Sequence, residues 1–283
     1  MRQWFRILLS SCLMVWLAWP STVRGGQIIS MDSFVNIGDI PSNAGNDSAN
    51  VHFFARGDPT ASNASNVAHE TMSESWWWFR LPPTNSTDDE SAFHNPTSES
   101  YVGNTAIFTF VETGFDATLS FVLNGDTLVQ NLKVTNTTNS LLDLDIFHHT
   151  DIDLGDNSDN DEAVLVGSDG LRVTSADGPS VLVVQAAGAT AYMARDNDSP
   201  GDLEDLMLDG LPTDFDNSGL PFSIGDGDLN HGFQWTQQFS AAQTVSFEAS
   251  YTVVPLPASA WMGLVLLGGM GVVGVMRRRM RSV

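Results

Sequence analysis

Asp214 begins a segment that has the spacing of a calcium-binding loop. Such loops take oxygen ligands from positions 1, 3 and 5 and have a glycine at position 6. Asp214, Asp216 and Ser218 occupy the three ligand positions, and a glycine follows. The bidentate Glu expected at position 12 is missing, so Asp226 or Asp228 would have to supply that ligand. We expect calcium at Asp214, Asp216, Ser218 and Asp226, with an Asp-rich turn as the alternative.

A second group of acidic side chains lies at the end of a predicted strand. Because side chains alternate along a strand, His149, Asp151 and Asp153 should share one face. The acidic run continues to Asp156, and carboxylates around an imidazole can bind calcium or a harder transition metal. Asp151, Asp153 and Asp156 are therefore the second candidate cation site, with a solvated acidic loop as the alternative. His148 points to the opposite, apolar face and is expected in the core.

Three consecutive tryptophans form the most aromatic run of the chain. Alternation places Trp76 and Trp78 on one side of a strand and Trp77 on the other. Flat aromatic faces pair with the C–H faces of sugars, so Trp76 and Trp78 are candidates for carbohydrate binding. Core packing is the alternative. Glu74 and Arg80 flank the run on the same face and could form an ion pair.

Motifs that identify common catalytic sites are missing from the sequence. There is no Gly-x-Ser-x-Gly, no His-Glu-x-x-His and no phosphate-binding glycine loop. Cys12 is the only cysteine. Paired carboxylates for glycoside cleavage remain an alternative because Asp is abundant, but no pair is singled out. We therefore expect a body without enzymatic activity.

The elements that would carry these residues are strands. Residues 115–123 alternate apolar and polar side chains, and Asn124-Gly125 follows, a pair typical of a tight hairpin. Pairing position 123 with position 126 would place the apolar side chains of residues 126–134 on the same face, apart from Gln130. The same alternation returns in residues 142–146 and 244–253.

Further strands are predicted between turns rich in Asn, Asp, Gly and Ser. A single short helix is predicted at 201–208. Numerous strands joined by such turns indicate an all-β fold, a two-sheet antiparallel sandwich of the jelly-roll-like kind that forms one body over residues 26–254. The additional strands lie near 28–38, 51–55, 75–81, 104–111, 162–167, 170–175, 180–186, 189–194 and 233–239.

Charge is distributed very unevenly along the chain. The sequence has 34 acidic and 12 basic residues, a formal net charge of −22. All of the acidic residues lie between Asp32 and Glu248, where only five basic residues accompany them. A body this acidic gains nothing from releasing counterions from a polyanion, so the charge excludes nucleic-acid binding.

The N-terminus has the three parts of a secretory signal peptide. Arg2 and Arg6 precede an apolar run over residues 7–19, and small residues follow. We expect cleavage after Gly25. The alternatives are a retained membrane helix and lipidation at Cys12.

The C-terminus combines a proline-containing motif, an apolar stretch and a basic cluster. Val254-Pro255-Leu256-Pro257-Ala258-Ser259 precedes an apolar segment, and Arg277-Arg278-Arg279 follows it. Residues 258–276 are long enough for a transmembrane helix. The arginines should stay cytoplasmic by the positive-inside rule, so the acidic body should cross the membrane.

This three-part C-terminus resembles the PEP-CTERM sorting signal in its Val-Pro-Leu-Pro-Ala variant. The resemblance implies a bacterial exported protein whose tail, residues 255–283, is handled near Pro257 by an exosortase. It also implies a Gram-negative envelope and a host that forms exopolysaccharide and biofilm. An ordinary C-terminal anchor is the alternative. The body resembles PEP-CTERM proteins of unassigned function with an early Trp-Trp-x-x-Arg motif, here at 76–80, and a late Phe-Gln-Trp motif, here at 233–235.

The sequence thus predicts a non-enzymatic, exported envelope or extracellular-matrix protein that is sorted through its C-terminus. The alternative is a secreted carbohydrate-binding or carbohydrate-active module stabilised by calcium, the one cofactor considered. The expected partners are an exosortase, the membrane through helix 258–276, and exopolysaccharide. The expected location is a transient inner-membrane anchor and then the envelope, cell surface or extracellular matrix.

Overall fold

The computed structural model describes residues 25–31, 33–42, 49–56, 71–81, 90–155, 160–176, 180–197, 201–223 and 227–255. No helix within these ranges has the length and apolarity needed to cross a membrane. The predicted transmembrane span 258–276 and nearly all of the predicted signal peptide lie outside the described residues.

The described residues contain sixteen strands and one short helix. In chain order the strands are β1 Gly26–Ser30, β2 Ser33–Gly38, β3 Asn50–Phe54, β4 Met72–Arg80, β5 Ser91–Ala92, β6 Ser98–Val102, β7 Thr105–Glu112, β8 Phe115–Asn124, β9 Thr127–Asn136, β10 Leu142–Ile152, β11 Asp161–Leu165, β12 Gly170–Ser175, β13 Ser180–Gln185, β14 Ala191–Asp196, β15 Leu229–Phe239 and β16 Thr244–Pro255. The helix, α1, is Leu203–Leu208.

The strands form two antiparallel sheets of eight strands each. Sheet A has the order β1-β2-β3-β4-β10-β15-β14, and β5 pairs with β4. Sheet B has the order β11-β12-β13-β16-β9-β8-β7-β6. The buried apolar side chains of both sheets belong to one hydrophobic core. The predicted all-β class and the two antiparallel sheets are confirmed.

The predicted hairpin forms with a register two residues from the expected one. Leu123 pairs with Leu128, so the turn consists of Gly125 and Asp126 rather than Asn124 and Gly125. Gly125 has a φ of 57°, which glycine adopts at little cost. Because a shift of two residues preserves the faces of both strands, the predicted apolar face is retained. Gln130 lies on that face and is fully buried.

Several other elements differ from the sequence prediction. The run near 28–38 is a hairpin of β1 and β2, with Met31 in the turn at a φ of 57°. The short strands β5 and β6 were not predicted. Helix α1 is confirmed: Asp202 caps it by accepting the Asp205 N–H, and Leu203 and Met207 are buried.

The last strand, β16, lies inside sheet B between β13 and β9. It runs through Val254 and Pro255, which pair with Val181 and Ser180. The first two residues of the predicted sorting motif therefore belong to the sheet. The remaining residues of that motif lie outside the described ranges.

Candidate functional site

The outer face of sheet A is the face that points away from sheet B. Phe215 covers part of this face and packs against Phe147 of β10, with ring centroids 5.4 Å apart. Beneath it, a Cβ on Gly232 would lie 2.7 Å from the Phe215 ring. Glycine at this position therefore lets the segment that contains Phe215 lie directly on the sheet.

Arg80 at the end of β4 holds this segment in place. We call residues 213–218 the covering segment. Its guanidinium donates to Glu90 Oε1 at 2.8 Å and to Asp145 Oδ2 at 2.7 Å. It also donates to the Thr213 carbonyl at 2.8 Å and pairs with Asp214. The Arg80 and Glu90 side chains are 7% and 0% exposed, whereas Asp214 is 77% exposed. One buried cation thus binds three carboxylates from three parts of the chain.

This arrangement gives residues of the first predicted calcium site partners within the protein. The hydrogen bond from Arg80 lowers the pKa of Asp214, whose carboxylate is already neutralised by a protein cation. The Ser218 carbonyl accepts the Ala194 N–H, and the Asn217 side chain accepts the Tyr192 N–H. The segment therefore pairs with β14, and calcium at these residues stays a prediction. Asp216 is exposed, and Asp226 lies outside the described residues.

The predicted ion pair between Glu74 and Arg80 is corrected, because Arg80 pairs with Glu90, Asp145 and Asp214 instead. Arg80 stands six residues further along β4 than Glu74, at the opposite end of the strand. Its three carboxylate partners lie 10, 65 and 134 positions further along the chain.

The two body motifs meet across β10. Trp77 on β4 stacks on Trp235 of β15, with ring centroids 5.4 Å apart, and donates to Gln130 Oε1 at 3.0 Å. On the outer face, Arg80 and Gln234 both donate to Asp214 Oδ1. The motifs therefore join the two sheets on one side and fix the covering segment on the other.

The tryptophan platform predicted at Trp76 and Trp78 is not formed, because both side chains are fully buried. Trp76 stacks on Phe121 of sheet B, and its indole donates to the Phe93 carbonyl at 2.7 Å. It lies between the part of β4 that pairs with β3 and the part that pairs with β5. Neither ring face is open to a sugar.

Three carboxylates converge at the other end of the outer face. Asp151 at the end of β10, Asp153 just after it and Asp228 just before β15 each place an oxygen within 4.8 Å of the others. Two of them belong to the second predicted cation site. Asp156, the third predicted ligand, lies outside the described residues, and Asp228 takes its place in the cluster. Register explains this, because Asp151 pairs with Asn230.

Asp151 has the most enclosed carboxylate of this group. Its Oδ2 accepts the Ser73 hydroxyl at 2.6 Å and the Asn197 amide at 3.3 Å. Its Oδ1 is buried and has no hydrogen-bond partner within the described part of the chain. Burial raises the pKa of Asp151 well above its usual range, and Asp153 and Asp228 raise it further.

Two nearby residues, Asp161 and Gly227, hold the backbone beside the three carboxylates in position. Asp161 of β11 is fully buried and accepts the Leu154 N–H at 3.1 Å. Burial raises its pKa to about 9 despite that bond, and Asp153 and Asp228 add to the shift. Gly227 has a φ of 114°, and a Cβ there would lie 2.0 Å from the Asp196 carboxylate. Glycine thus allows the chain to bring Asp228 against Asp196.

A buried polar network lies on the inner face of the same strands. His148 contacts Ser75 Oγ at 3.1 Å and the Tyr251 hydroxyl of sheet B at 3.2 Å. Its predicted place in the core is confirmed. His231 on β15 is also buried, with its ring 6.4 Å from that of Tyr251. Burial lowers the pKa of His148 well below its ordinary value. Burial also lowers the pKa of His231, to about 3, and the nearby His149 lowers it further.

His231 is expected to make the protein less stable in acid. The unfolded chain binds a proton at this histidine below about pH 6.5, whereas the folded chain does not until about pH 3. Above about pH 6.5 this histidine therefore does not lower the free energy of unfolding. Between about pH 6.5 and pH 3, proton binding by the unfolded chain lowers the free energy of unfolding by about 1.4 kcal/mol for each pH unit.

Urea unfolding of wild type and His231→Gln at several pH values isolates this effect, because all other groups titrate in both proteins. As the pH falls from 6.5 to 4, the free energy of unfolding should decrease more steeply for wild type than for the variant. Parallel curves over that range would contradict the assignment.

Comparisons with known proteins find similarity in structure but not in sequence. No family model and no curated protein matches the chain. A galactose mutarotase related enzyme from Lactobacillus acidophilus superposes with a TM-score of 0.51, covering 81% of this chain and 97% of that one at 9% identity. The fold is that of an aldose epimerase-like sandwich. A putative aldose 1-epimerase from Escherichia coli K12 gives a TM-score of 0.49 at 10% identity, over 83% and 100% of the two chains.

The mutarotase-like fold corrects two expectations. The sandwich is of the aldose epimerase type rather than the jelly-roll type. The expectation of a non-enzymatic body is also corrected, because the chain shares its fold with a galactose mutarotase related enzyme. At 9% identity, short sequence motifs do not reveal that fold. The structural neighbour is a galactose mutarotase related enzyme, which is consistent with the alternative interpretation of the sequence.

Proposed function

We propose that this chain is an exported, carbohydrate-active protein of the bacterial envelope. The observation that carries the proposal is the mutarotase-like fold, which superposes over 81% of this chain and 97% of a galactose mutarotase related enzyme. Fold alone does not specify a function, so the proposal also needs a surface that can recognise sugar.

The open part of the outer face of sheet A supplies such a surface. Thr236 donates to Asp145 at 2.7 Å, and Gln238 donates to Asp143 at 2.7 Å. Asp143, Thr236 and Gln238 are exposed, and the exposed Asp214 lies beside Asp145 on the Arg80 network. We call these five residues the polar strip. Carboxylates, amides and hydroxyls in a row can donate to and accept from the hydroxyl groups of a sugar.

A glycan array and a polarimetric assay of anomer interconversion test this function together. The purified full-length protein should bind at least one class of glycan reproducibly or accelerate mutarotation of a free aldose. Heat-denatured protein is the control. A protein that neither binds any glycan nor accelerates mutarotation of any aldose in the panel would contradict the proposal.

We also propose that the C-terminus sorts the protein through an exosortase. Support comes from the sequence motif and from β16, whose pairing ends at Pro255. Processing beyond Pro255 would leave all the described strands intact. The body could therefore be released from its membrane anchor without unfolding.

Removing residues 256–283 is expected to change where the protein is found in its native host. The truncation retains Val254 and Pro255, so it does not shorten β16. Full-length protein should be found in the outer envelope or matrix, and truncated protein in the periplasm or medium. Immunoblots of cell fractions measure this, and identical fractionation of the two proteins would refute the sorting proposal.

A further inference from the structure

We propose that Asp151, Asp153 and Asp228 bind a calcium ion that fastens β10 to β15 at one end of sheet A. The three residues come from the end of β10, the segment after it and the start of β15. A shared ion would connect these elements where β10 leaves the sheet. The site lies at the opposite end of β10 from the polar strip, so it is independent of the proposed carbohydrate surface.

The spacing of the carboxylates fits calcium. Calcium holds oxygen ligands at about 2.3–2.6 Å, so two ligands on opposite sides of one ion are separated by about 4.6–5.2 Å. One oxygen of each of Asp151, Asp153 and Asp228 lies within 4.8 Å of the other two, which is close enough for one calcium ion to bind all three. Magnesium gives up its waters reluctantly and is seldom held by protein ligands alone. A cluster of three carboxylates therefore suits calcium better than magnesium.

The buried Oδ1 of Asp151 provides evidence that does not depend on clustering. Acidic side chains often gather on a surface with no ion, but Asp151 is only 6% exposed. Its Oδ1 has no hydrogen-bond partner within the described residues, while Oδ2 has two. A buried carboxylate oxygen without a partner is costly unless a cation or a proton satisfies it.

The surroundings hold this oxygen in position before any ion arrives. Ser73 and Asn197 fix the other oxygen of Asp151 from β4 and from the end of β14. Asn197 is fixed in turn by the Asn230 amide, which donates to its side-chain oxygen at 2.7 Å. Residues of β4, of β15 and of the segment after β14 thus orient one carboxylate of β10. Pre-organised ligands of this kind lose little conformational entropy on binding an ion.

Calcium titration of the full-length protein after EDTA treatment tests the site. Isothermal titration calorimetry at 150 mM NaCl should show one calcium bound per chain at this site. The melting temperature should rise by roughly 5–10 °C at a hundredfold excess over Kd, since an ion that binds only the folded state stabilises it. The reference for melting is sodium chloride of equal ionic strength, and magnesium should give a smaller shift.

Two ligand variants and a matched control separate this site from general acidity. Asp153→Asn and Asp228→Asn should each weaken calcium binding about tenfold or more while they melt no lower than wild type without calcium. Asp116→Asn, an exposed carboxylate on sheet B, should bind calcium as wild type does. The proposal is overturned if wild type shows no calcium-specific shift, if magnesium matches calcium, or if both ligand variants retain wild-type affinity.

Discussion

Replacing Arg80 with methionine is expected to lower the free energy of unfolding by about 3–5 kcal/mol, since breaking a buried ion pair leaves an uncompensated charge. The substitution removes the cation that binds Glu90, Asp145 and Asp214, and the Glu90 side chain is fully buried. It also releases the Thr213 carbonyl from the sheet. Urea denaturation followed by tryptophan fluorescence measures the loss.

Asp214→Asn is the matched control for Arg80. The Asp214 side chain is 77% exposed, so its ion pair is screened by water and should contribute only about 0–1 kcal/mol. An Arg80→Met variant no less stable than Asp214→Asn would show that the buried network does not stabilise the covering segment.

Trp77→Ala is expected to cost about 3–5 kcal/mol, a loss typical of truncating a buried tryptophan. The substitution would leave a cavity between the sheets beside Trp235 and would remove the donor to Gln130 Oε1. Thermal melting and urea denaturation should agree on the loss, because both sheets share one core.

Trp77→Phe separates packing from hydrogen bonding at the same position. A phenyl ring keeps much of the stacking on Trp235 but cannot donate to Gln130, so we expect a smaller loss of about 1–3 kcal/mol. If the Ala and Phe variants have equal stability, packing between Trp77 and Trp235 contributes little and the account of the core is wrong.

Strand alternation predicted most of the fold because burial on one face requires a period of two. The last strand shows this well: Phe247, Ala249, Tyr251 and Val253 are all buried, as expected. Alternation could not fix register, since moving a strand by two residues leaves its faces unchanged. The hairpin after Leu123 was therefore placed correctly and paired incorrectly.

The candidate sites show the same limit. Asp151 and Asp153 could be grouped from their shared strand face, but Asp228 joins them only because β15 pairs with β10. Asp214 fitted a calcium loop by spacing, yet the residue that neutralises it lies 134 positions earlier in the chain. Local sequence contains no information about contacts of that separation.

The fold type was also hidden from the sequence. Short motifs for nucleophiles and metals contain no information on sheet order, and the galactose mutarotase related enzyme that superposes on this chain is 9% identical to it. Sheet order depends on pairings such as β4 with β10 and β9 with β16. None of these pairs is adjacent in the chain.

The most direct test of the account is the affinity of the polar strip for carbohydrate. Calorimetric titration of the best array glycan into wild type should give saturable binding, and the double variant Thr236→Ala, Gln238→Ala should bind about tenfold or more weakly, as expected for two lost hydrogen bonds. The double variant Thr135→Ala, Thr244→Ala, which removes a 2.8 Å hydroxyl pair from sheet B, should bind as wild type does. Equal affinity of all three proteins would contradict the assignment of carbohydrate binding to the polar strip. A wild type that neither binds a glycan nor accelerates mutarotation would contradict the proposed function.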